Sequence, residues 1–232
     1  MIQAILTMDD GPSGITPEII DFLKAHDIIP VLFFLGEMLE EHFENGVYAL
    51  RQGAVVGNHS YSHPNFDEIS YAECVAEIEK QEKMLGWLHA AAKIPRRTKL
   101  FRFPYGAAGG DKAHRLQQYL RENGFKKLDD RLIRNTSYQR NGFDRRIDVA
   151  ATFDSGEWQL QKQEFTMHDV FTSIDGFLAD EAACPPQDNL HHILLIHDHD
   201  ISNEIVPFYY QQILEYLLAR GVIFEVPRFL EV

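Results

Sequence analysis

The sequence predicts an α/β fold in which parallel strands alternate with helices. Short apolar runs alternate with segments of helical periodicity along the whole chain, as in successive βα units. Several runs are continuous stretches of Val, Ile, Leu and Phe, which is typical of strands buried on both faces. With 232 residues and 45% hydrophobic content, the chain can build one large core. We therefore expect a single domain over 1–232.

Seven apolar runs qualify as strands, and most of the segments between them qualify as helices. Thr-Pro-Glu at 16–18 predicts the start of the first helix, with the threonine as cap and the proline at the first helical position. A Ser-Tyr-Ala-Glu capping box at 70–73 predicts a long helix that ends near His89. The predicted strands are 2–8, 29–35, 53–57, 98–103, 147–153, 191–196 and 222–226.

One inserted segment, at about 126–148, is too long for an ordinary connection between elements. Its basic side chains form an island on an otherwise acidic protein. A solvated loop and a lid that contacts substrate are the two alternatives. Because the segment joins two motifs at predicted strand ends, we expect it to border the cleft. Its basic residues are Lys126, Lys127, Arg131, Arg134, Arg140, Arg145 and Arg146.

Composition narrows the partners and the compartment. The formal net charge of −13 argues against nucleic acid or an anionic membrane, since both need a concentrated basic face. The two cysteines, Cys74 and Cys184, imply no disulfide framework; we expect free thiols, with a single bridge as the alternative. No apolar run approaches the ~18 residues of a membrane span. We expect a cytoplasmic protein if Met1 is the native start and a secreted one if a leader has been removed.

Two histidines, His59 and His63, follow the predicted strand at 53–57. On a strand they would lie about 13 Å apart, too far for two nitrogens that each bind one zinc ion at about 2.1 Å. One helical turn would bring both rings to one face, so we expect such a turn with a metal between the rings. The alternative is a pair of surface histidines. No carboxylate lies between them, so a catalytic base must come from elsewhere.

Two adjacent aspartates, Asp9 and Asp10, end the first predicted strand ahead of a Gly-Pro turn. Strands disfavour paired aspartates, and in parallel α/β folds the carboxyl ends of the strands build the active site. One carboxylate can complete a metal triad with two histidines while its neighbour accepts a proton from water. The spacing leaves open which aspartate has which role. An Asx turn or helix cap is the alternative.

Other predicted strand ends also carry polar groups. Arg102 can hold a carboxylate bidentately, and the turn at Tyr105 can offer a backbone N–H to an oxyanion, although a plain proline turn is the alternative. His197 follows the sixth strand, where a neighbouring carboxylate can raise its pKa and make it a general acid. Three other histidines are expected to be structural or solvated, with a second metal site as the alternative: His191, His192 and His199.

In this order the motifs resemble those of the polysaccharide deacetylase family, also called the NodB-homology domain or carbohydrate esterase family 4. Each motif alone is weak, but all of them stand at predicted strand ends, and the resemblance extends over almost the whole chain. The motifs are Thr-Met-Asp-Asp-Gly-Pro at 7–12, His-Ser-Tyr-Ser-His at 59–63, Arg-Phe-Pro-Tyr-Gly at 102–106, Asp-Ser-Gly-Glu-Trp at 154–158 and Leu-Ile-His at 195–197.

The resemblance implies a distorted (β/α)7 TIM-like barrel of the NodB-homology type that removes N-acetyl groups from amino sugars with one divalent metal ion. Zinc is the expected ion, with Co²⁺, Ni²⁺ or Mn²⁺ as alternatives. By position, the metal ligands are Asp10, His59 and His63. The other implied roles are Asp9 as general base, Arg102 as its partner, the Tyr105 N–H as oxyanion donor, His197 as general acid, and Trp158 and Leu195 as apolar walls around the acetyl methyl group.

The chain departs from the family pattern at Glu157, where the acid before the tryptophan is usually aspartate. Glu157 is the preferred partner of His197, with Asp154 as the alternative. The expected substrate is an N-acetylglucosamine-containing glycan of the chitooligosaccharide or peptidoglycan type. The alternatives are a cytoplasmic deacetylase or deformylase of a small N-acyl amino sugar or amide, and a non-catalytic carbohydrate-binding protein. Oligomeric state has no signal in the sequence.

Overall fold

A computed structural model describes residues 2–183 and 190–230 and shows a parallel sheet with helices packed around it. The strands are β1 (Ile2–Asp9), β2 (Val31–Phe34), β3 (Val55–Asn58), β4 (Lys127–Leu128), β5 (Phe153–Asp154), β6 (Leu190–His197), β7 (Val222–Phe224) and β8 (Phe229–Leu230). The helices are α1 (Thr16–Ala25), α2 (Gly36–Glu41), α3 (Phe43–Arg51), α4 (Tyr71–Ala92), α5 (Ala113–Glu122), α6 (Thr136–Arg140), α7 (Met167–Ala183), α8 (Asp200–Ile205) and α9 (Tyr209–Ala219).

Strand β1 lies at the centre of the main sheet. The parallel order is β3-β2-β1-β6-β5, and β7 pairs with the first residues of β1 on the edge that β1 shares with β2. Strands β1 and β6 pair along their whole lengths, so that Asp9 lies opposite His197. This register brings two of the predicted site residues to the same end of the sheet.

Side chains on the central strands alternate between two apolar cores. Ile5 on β1, Phe33 on β2 and Ile193 on β6 belong to the core inside the curved sheet. Their neighbours Leu6 and Leu194 belong to the larger core under the outer helices. The prediction of strands buried on both faces is therefore confirmed. The inner rows continue to the carboxyl ends of the strands, where polar side chains replace the apolar ones.

Two predicted strands, 98–103 and 147–153, are far less regular than expected. The first forms only an isolated parallel bridge, between Phe101 and Asn58 of β3. The second donates the Val149 N–H to Phe101 O and becomes a strand only at Phe153. These isolated bonds take the place of ladders between β3 and β5, so the curved sheet is distorted on this side. Apolar periodicity could not reveal this, because both segments are buried like strands.

The helix predictions are partly confirmed. Ser70 and Glu73 form the expected capping box of α4, which continues to Ala92. Helix α1 begins at Thr16, but its cap is Ile15, without a side-chain hydrogen bond; the threonine hydroxyl instead donates to Asp198. Among the helices that the structure describes, none combines the length and apolar character needed to cross a bilayer.

The segment 126–148 is more ordered than the predicted irregular loop. It contains β4, which pairs antiparallel with β8, and the short helix α6. The buried Lys127 pairs with Asp130 at 2.7 Å. Cys74 is a buried free thiol, as expected; Cys184 lies outside the described residues.

Candidate active site

The two aspartates at the end of β1 both face one cleft. Asp9 is buried and lies on the inner row of the strand. Asp10 has a φ of 69°, a left-handed conformation that a short carboxylate side chain tolerates better than most residues do. Side chains of consecutive strand residues would point to opposite faces. The left-handed turn at Asp10 lets both carboxylates reach the same site.

The loop that carries His59 and His63 is not the predicted helical turn. Ser60 and His63 have φ values of 71° and 58°, and the loop N–H groups of Tyr61 and Ser62 donate to the Glu77 carboxylate of α4. Side-chain acceptors thus replace the carbonyl acceptors of a helix. The two imidazole rings nevertheless meet, with centroids 5.1 Å apart. The prediction that the two rings lie close together is confirmed, but the predicted helical turn is wrong.

Asp10, His59 and His63 place their potential ligand atoms within 4.8 Å of one another. Asp10 Oδ1 lies 3.4 Å from His59 Nε2 and 3.3 Å from His63 Nε2. This buried oxygen finds no hydrogen-bond partner among the described residues. His59 Nδ1 donates to Arg102 O at 2.9 Å, an arrangement that leaves Nε2 free as a ligand. An unpaired carboxylate oxygen that lies between two imidazole nitrogens is a donor set that fits a divalent metal ion.

The pKa shifts of Asp10 and His63 favour ligand forms. Burial would lower the pKa of the third member, His59, but the Asp9 and Asp10 carboxylates raise it above its usual value. Burial would raise the pKa of Asp10, but the hydrogen bond from His199 and the nearby His59 ring hold that pKa well below its usual value. Burial lowers the pKa of His63 to about 4, so that its ring is neutral near pH 7. An ionised carboxylate and a neutral imidazole are the forms that bind metals.

Asp9 is held by Arg102. The guanidinium Nη1 lies 2.8 Å from Asp9 Oδ1 and donates to the Thr7 hydroxyl as well, while Nε donates to Val149 O. Both partners are buried. The other oxygen, Asp9 Oδ2, lies 3.6 Å from His59 Nε2 and therefore faces the candidate metal cluster. Asp9 is thus placed beside the cluster without being one of its three members.

Tyr105 contacts His63 at the cleft. It has φ 57° within the turn Pro104–Gly106, and its ring packs edge-on against His63 at 4.4 Å. The residue is 72% exposed, which indicates that the turn is open to solvent and to a ligand. The backbone N–H of Tyr105, which is predicted to bind an oxyanion, belongs to this turn, and the turn borders the cleft.

His197 is hydrogen-bonded to Glu157 and not to Asp154. Its ring Nδ1 donates to Glu157 Oε1 at 3.1 Å, and its backbone N–H donates to the same oxygen. The Ser155 hydroxyl donates to Oε2, and the Glu157 side chain is 0% exposed. Burial would lower the pKa of His197, but the Glu157 charge raises it to about 10. The imidazolium is therefore the dominant form near neutral pH.

Asp154 organises the turn beside His197. Its carboxylate accepts from the Gly156 N–H at 2.8 Å and from the Trp158 indole N–H at 3.2 Å. These bonds fix the Trp158 ring at the wall of the cleft, where Leu195 also lies. The residues predicted for the fourth motif are thus brought together, with Glu157 in contact with the histidine.

All eleven predicted site residues except Glu157 line a single cleft with a volume of about 770 Å³. Glu157 lies behind His197. A cavity of this size suits a substrate the size of a small oligosaccharide or a drug-like molecule.

A family model described as "Polysaccharide deacetylase" matches residues 2–127, more than half of the chain. This chain belongs to the polysaccharide deacetylase family. Among curated proteins, it is 41% identical over 106 residues to a peptidoglycan-N-acetylglucosamine deacetylase of Bacillus cereus, covering 45% of this chain and 36% of that protein. It is 33% identical over 102 residues to the peptidoglycan-N-acetylmuramic acid deacetylase PdaC of Bacillus subtilis, covering 44% and 21%. The chain thus matches about a third or less of these relatives' lengths.

Solved polysaccharide deacetylases share the fold. The crystal structure of a polysaccharide deacetylase from Bacillus cereus superimposes with a TM-score of 0.65 at 25% identity, covering 97% of this chain and 92% of that one. The structure of B. subtilis PdaC gives a TM-score of 0.60 at 20% identity, covering 96% and 86%. The predicted distorted (β/α)7 barrel is confirmed. Among the described residues, no strand ladder closes the sheet between β3 and β5.

Sequence reasoning missed two residues of this polysaccharide deacetylase site. His199, expected to be structural or solvated, lines the cleft, and its Nε2 lies 2.8 Å from Asp10 Oδ2. Asp198 accepts from the hydroxyls of Ser13 and Thr16 and so holds the turn after the aspartates. The alternation of side chains could have revealed both residues. In an extended chain beyond the strand, residues 197 and 199 share one side, so His199 is expected beside His197, and residue 198 lies on the other side.

The inserted segment reaches the cleft with one of its seven basic residues. Arg146 lines the cleft together with Phe143 and Asp148, whereas Arg134 and Arg140 do not. Arg146 pairs with Asp148 at 2.5 Å. The prediction that the segment borders the cleft is confirmed, but most of its basic charge faces elsewhere.

Proposed function

We propose that the protein is a metal-dependent hydrolase that removes N-acetyl groups from N-acetylglucosamine-containing glycans of the chitooligosaccharide or peptidoglycan type. The observation that carries this proposal is the unpaired Asp10 Oδ1 between the two histidine nitrogens. An unpartnered buried oxygen is costly unless a ligand completes it. Beside this cluster lie a held carboxylate and a held imidazolium, the two proton-transfer groups that amide hydrolysis needs.

Asp10, His59 and His63 would hold one divalent ion, zinc being the best match to a nitrogen-rich donor set, with Co²⁺, Ni²⁺ or Mn²⁺ as alternatives. When bound, such an ion supplies Lewis-acid polarisation of the acetyl carbonyl and activation of water.

Asp9 accepts the proton of the attacking water through Oδ2, the oxygen that faces the cluster. Arg102 occupies Oδ1 and fixes the carboxylate in orientation. The buried pair costs desolvation, and three other hydrogen bonds of the guanidinium and Thr7 offset part of that cost. Asp9 is therefore oriented before substrate arrives, as a general base must be.

His197 donates its Nε2 proton to the departing amine as the C–N bond breaks. Glu157 occupies Nδ1 and stabilises the protonated ring, so the proton is available at neutral pH. The Tyr105 N–H, on the turn beside His63, stabilises negative charge that develops on the carbonyl oxygen. Trp158 and Leu195 provide the apolar wall for the acetyl methyl group.

A neutral sugar suits this cleft better than an anionic one. Arg146 already shares two hydrogen bonds with the Asp148 carboxylate, whose side chain is 2% exposed. An anionic substrate would compete with Asp148 for the arginine. We therefore expect KM to change little as salt rises from about 0.1 M to about 1 M, where the Debye length falls from about 10 Å to about 3 Å. A KM that rises steeply with salt in the wild type but not in Arg146→Ala would instead favour an anionic glycan.

Product mass spectrometry tests the proposal directly. The protein loaded with zinc is incubated with chitooligosaccharides, with peptidoglycan fragments and with small N-acyl amides. Loss of an acetyl group from one of the glycans supports the proposal. Deacylation of the small amides alone would favour the small-substrate alternative, and inertness of a zinc-loaded protein that still binds glycans would favour a non-catalytic carbohydrate-binding role.

A further inference from the structure

We propose that His199 is a positioning residue that fixes Asp10 as a one-oxygen metal ligand. The inference rests on the proposed function and concerns a residue outside the motifs that carry the family resemblance. Its central observation is the division of labour between the two Asp10 oxygens: Oδ2 accepts a hydrogen bond from His199 at 2.8 Å, and Oδ1 faces His59 and His63 without a partner among the described residues.

Asp10 needs such a partner because of where it lies. It follows the last residue of β1 in a left-handed conformation, outside the sheet ladder that holds Asp9. A carboxylate with two free oxygens could rotate to bind an ion through both of them or turn one oxygen toward a neighbouring imidazole. A donor on Oδ2 removes that freedom and leaves Oδ1 aimed between the two rings. Loss of a partner of this kind typically costs about 10–100-fold in metal affinity or activity.

His199 is itself held in place. Its backbone N–H donates to the Tyr209 hydroxyl at 3.1 Å, and that hydroxyl donates to His197 O at 2.5 Å. Its ring stacks on the His197 ring with centroids 5.3 Å apart and planes 25° apart. The side chain is 19% exposed. A histidine fixed by its backbone and its ring face can impose an orientation on Asp10.

The tautomer is consistent with a donor role. His199 Nδ1 is buried and contacts no hydrogen-bond partner in the part of the chain that the structure describes. A buried N–H at that position would be unsatisfied, whereas a bare nitrogen is less costly, so the hydrogen belongs on Nε2, facing Asp10.

His199 is not a fourth ligand. The ligand atoms of Asp10, His59 and His63 lie within 4.8 Å of one another, and His199 is not part of that set. Its Nε2 is engaged with Asp10 Oδ2, and its second nitrogen is on the far side of the ring. His199 therefore orients the ligand Asp10 and does not bind the ion itself.

The test measures zinc affinity by competition with a chromophoric chelator, for the whole chain. His199→Ala removes the donor and should weaken zinc binding about 10–100-fold, the usual cost of losing such a partner. His199→Gln places an amide N–H near the position of Nε2 and should restore most of the affinity. His168→Ala, at an exposed histidine of α7, is the matched control and should bind as the wild type does. Circular dichroism confirms that each variant is folded.

A kinetic readout separates positioning from direct catalysis. At zinc concentrations that saturate His199→Ala, kcat should return close to the wild-type value, because the variant lacks occupancy rather than a reacting group. Unchanged zinc affinity in folded His199→Ala, equal losses in the Ala and Gln variants, or a kcat that stays low at saturating zinc would each overturn the inference. A wild-type protein that binds no divalent ion would instead contradict the proposed function.

Discussion

Two clusters of similar composition lie in the cleft region, and of these two only one is suited to a metal. The metal cluster is Asp10, His59 and His63; the acid cluster is Asp154, Glu157 and His197. In each, the potential ligand atoms lie within 4.8 Å of one another, so distance alone does not separate them.

Hydrogen bonding separates the two clusters. In the acid cluster, both oxygens of Glu157 accept hydrogen bonds, from the Ser155 hydroxyl and from two N–H groups of His197. In the metal cluster, Asp10 Oδ1 has no partner among the described residues. A satisfied carboxylate beside an imidazole stabilises a proton, whereas an unsatisfied one between two imidazoles is completed by a cation. The same residue types therefore give two different chemistries.

Backbone structure also differs between the clusters. His197 ends a regular strand that pairs with β1 along its full length. His59 and His63 instead lie in a loop with two left-handed residues, fixed by Asn58 and by Glu77 of α4. The acid cluster thus depends on the sheet, and the metal cluster depends on side-chain acceptors around an irregular loop.

Asp9 belongs to neither cluster, and Asp9→Asn should have the largest effect on catalysis. The amide keeps an acceptor for Arg102 but cannot take a proton, so kcat should fall about 10²–10⁴-fold while zinc content is unchanged. Steady-state kinetics and elemental analysis of the same preparation measure both quantities. A wild-type rate would remove Asp9 from the mechanism, and loss of zinc would make it a ligand.

Glu157→Gln should alter the acid cluster without emptying the metal cluster. Loss of the negative charge lowers the pKa of His197, which is about 10 beside Glu157. The alkaline limb of the kcat profile should move about 1–3 pH units lower, as expected for removal of a neighbouring opposite charge. Asp154→Asn is the matched control and should move the limb less, because Asp154 bonds to Gly156 and Trp158 instead. The reverse ranking would assign the orienting role to Asp154.

Loss of the proton from His197 at high pH should lower the stability of the metal-free protein, an effect smaller than those of the two substitutions on catalysis. The pKa of His197 is raised from 6.5 to about 10 in the folded state, so the stabilisation is complete below about pH 6.5 and is lost as pH rises through about 10. Denaturant unfolding of metal-free protein should therefore give a free energy of unfolding that falls over this range. The fall should be shallower in His197→Gln. Parallel curves for the two proteins would show that the proton on His197 does not stabilise the fold.

Several residues of the cleft were predictable because they stand at or next to strand ends. Adjacent aspartates after an apolar run and a histidine after β6 lie where parallel sheets place functional groups, and the register of β1 with β6 brought Asp9 opposite His197. Of the two acids considered as partner of His197, Glu157 is the one that contacts its ring.

The parts that were missed depend on contacts between distant segments. The shape of the loop from His59 to His63 is set by Glu77, which lies on α4, and no local spacing reveals that acceptor. The irregular pairing at Phe101 and Val149 has the same apolar pattern as a ladder. His199 was misjudged because its partner, Asp10, is 189 residues away in sequence.

Metal content of matched single variants tests the contrast between the clusters most directly. Wild-type protein, His59→Ala, His63→Ala, Glu157→Gln and His197→Ala are loaded with zinc, freed of excess metal and measured by elemental analysis. The wild type and both acid-cluster variants should retain about one zinc per chain, as a site with three protein ligands requires, and both metal-cluster variants should lose it. Full zinc content in His59→Ala and His63→Ala, with loss in Glu157→Gln or His197→Ala, would place the ion in the acid cluster and contradict the account.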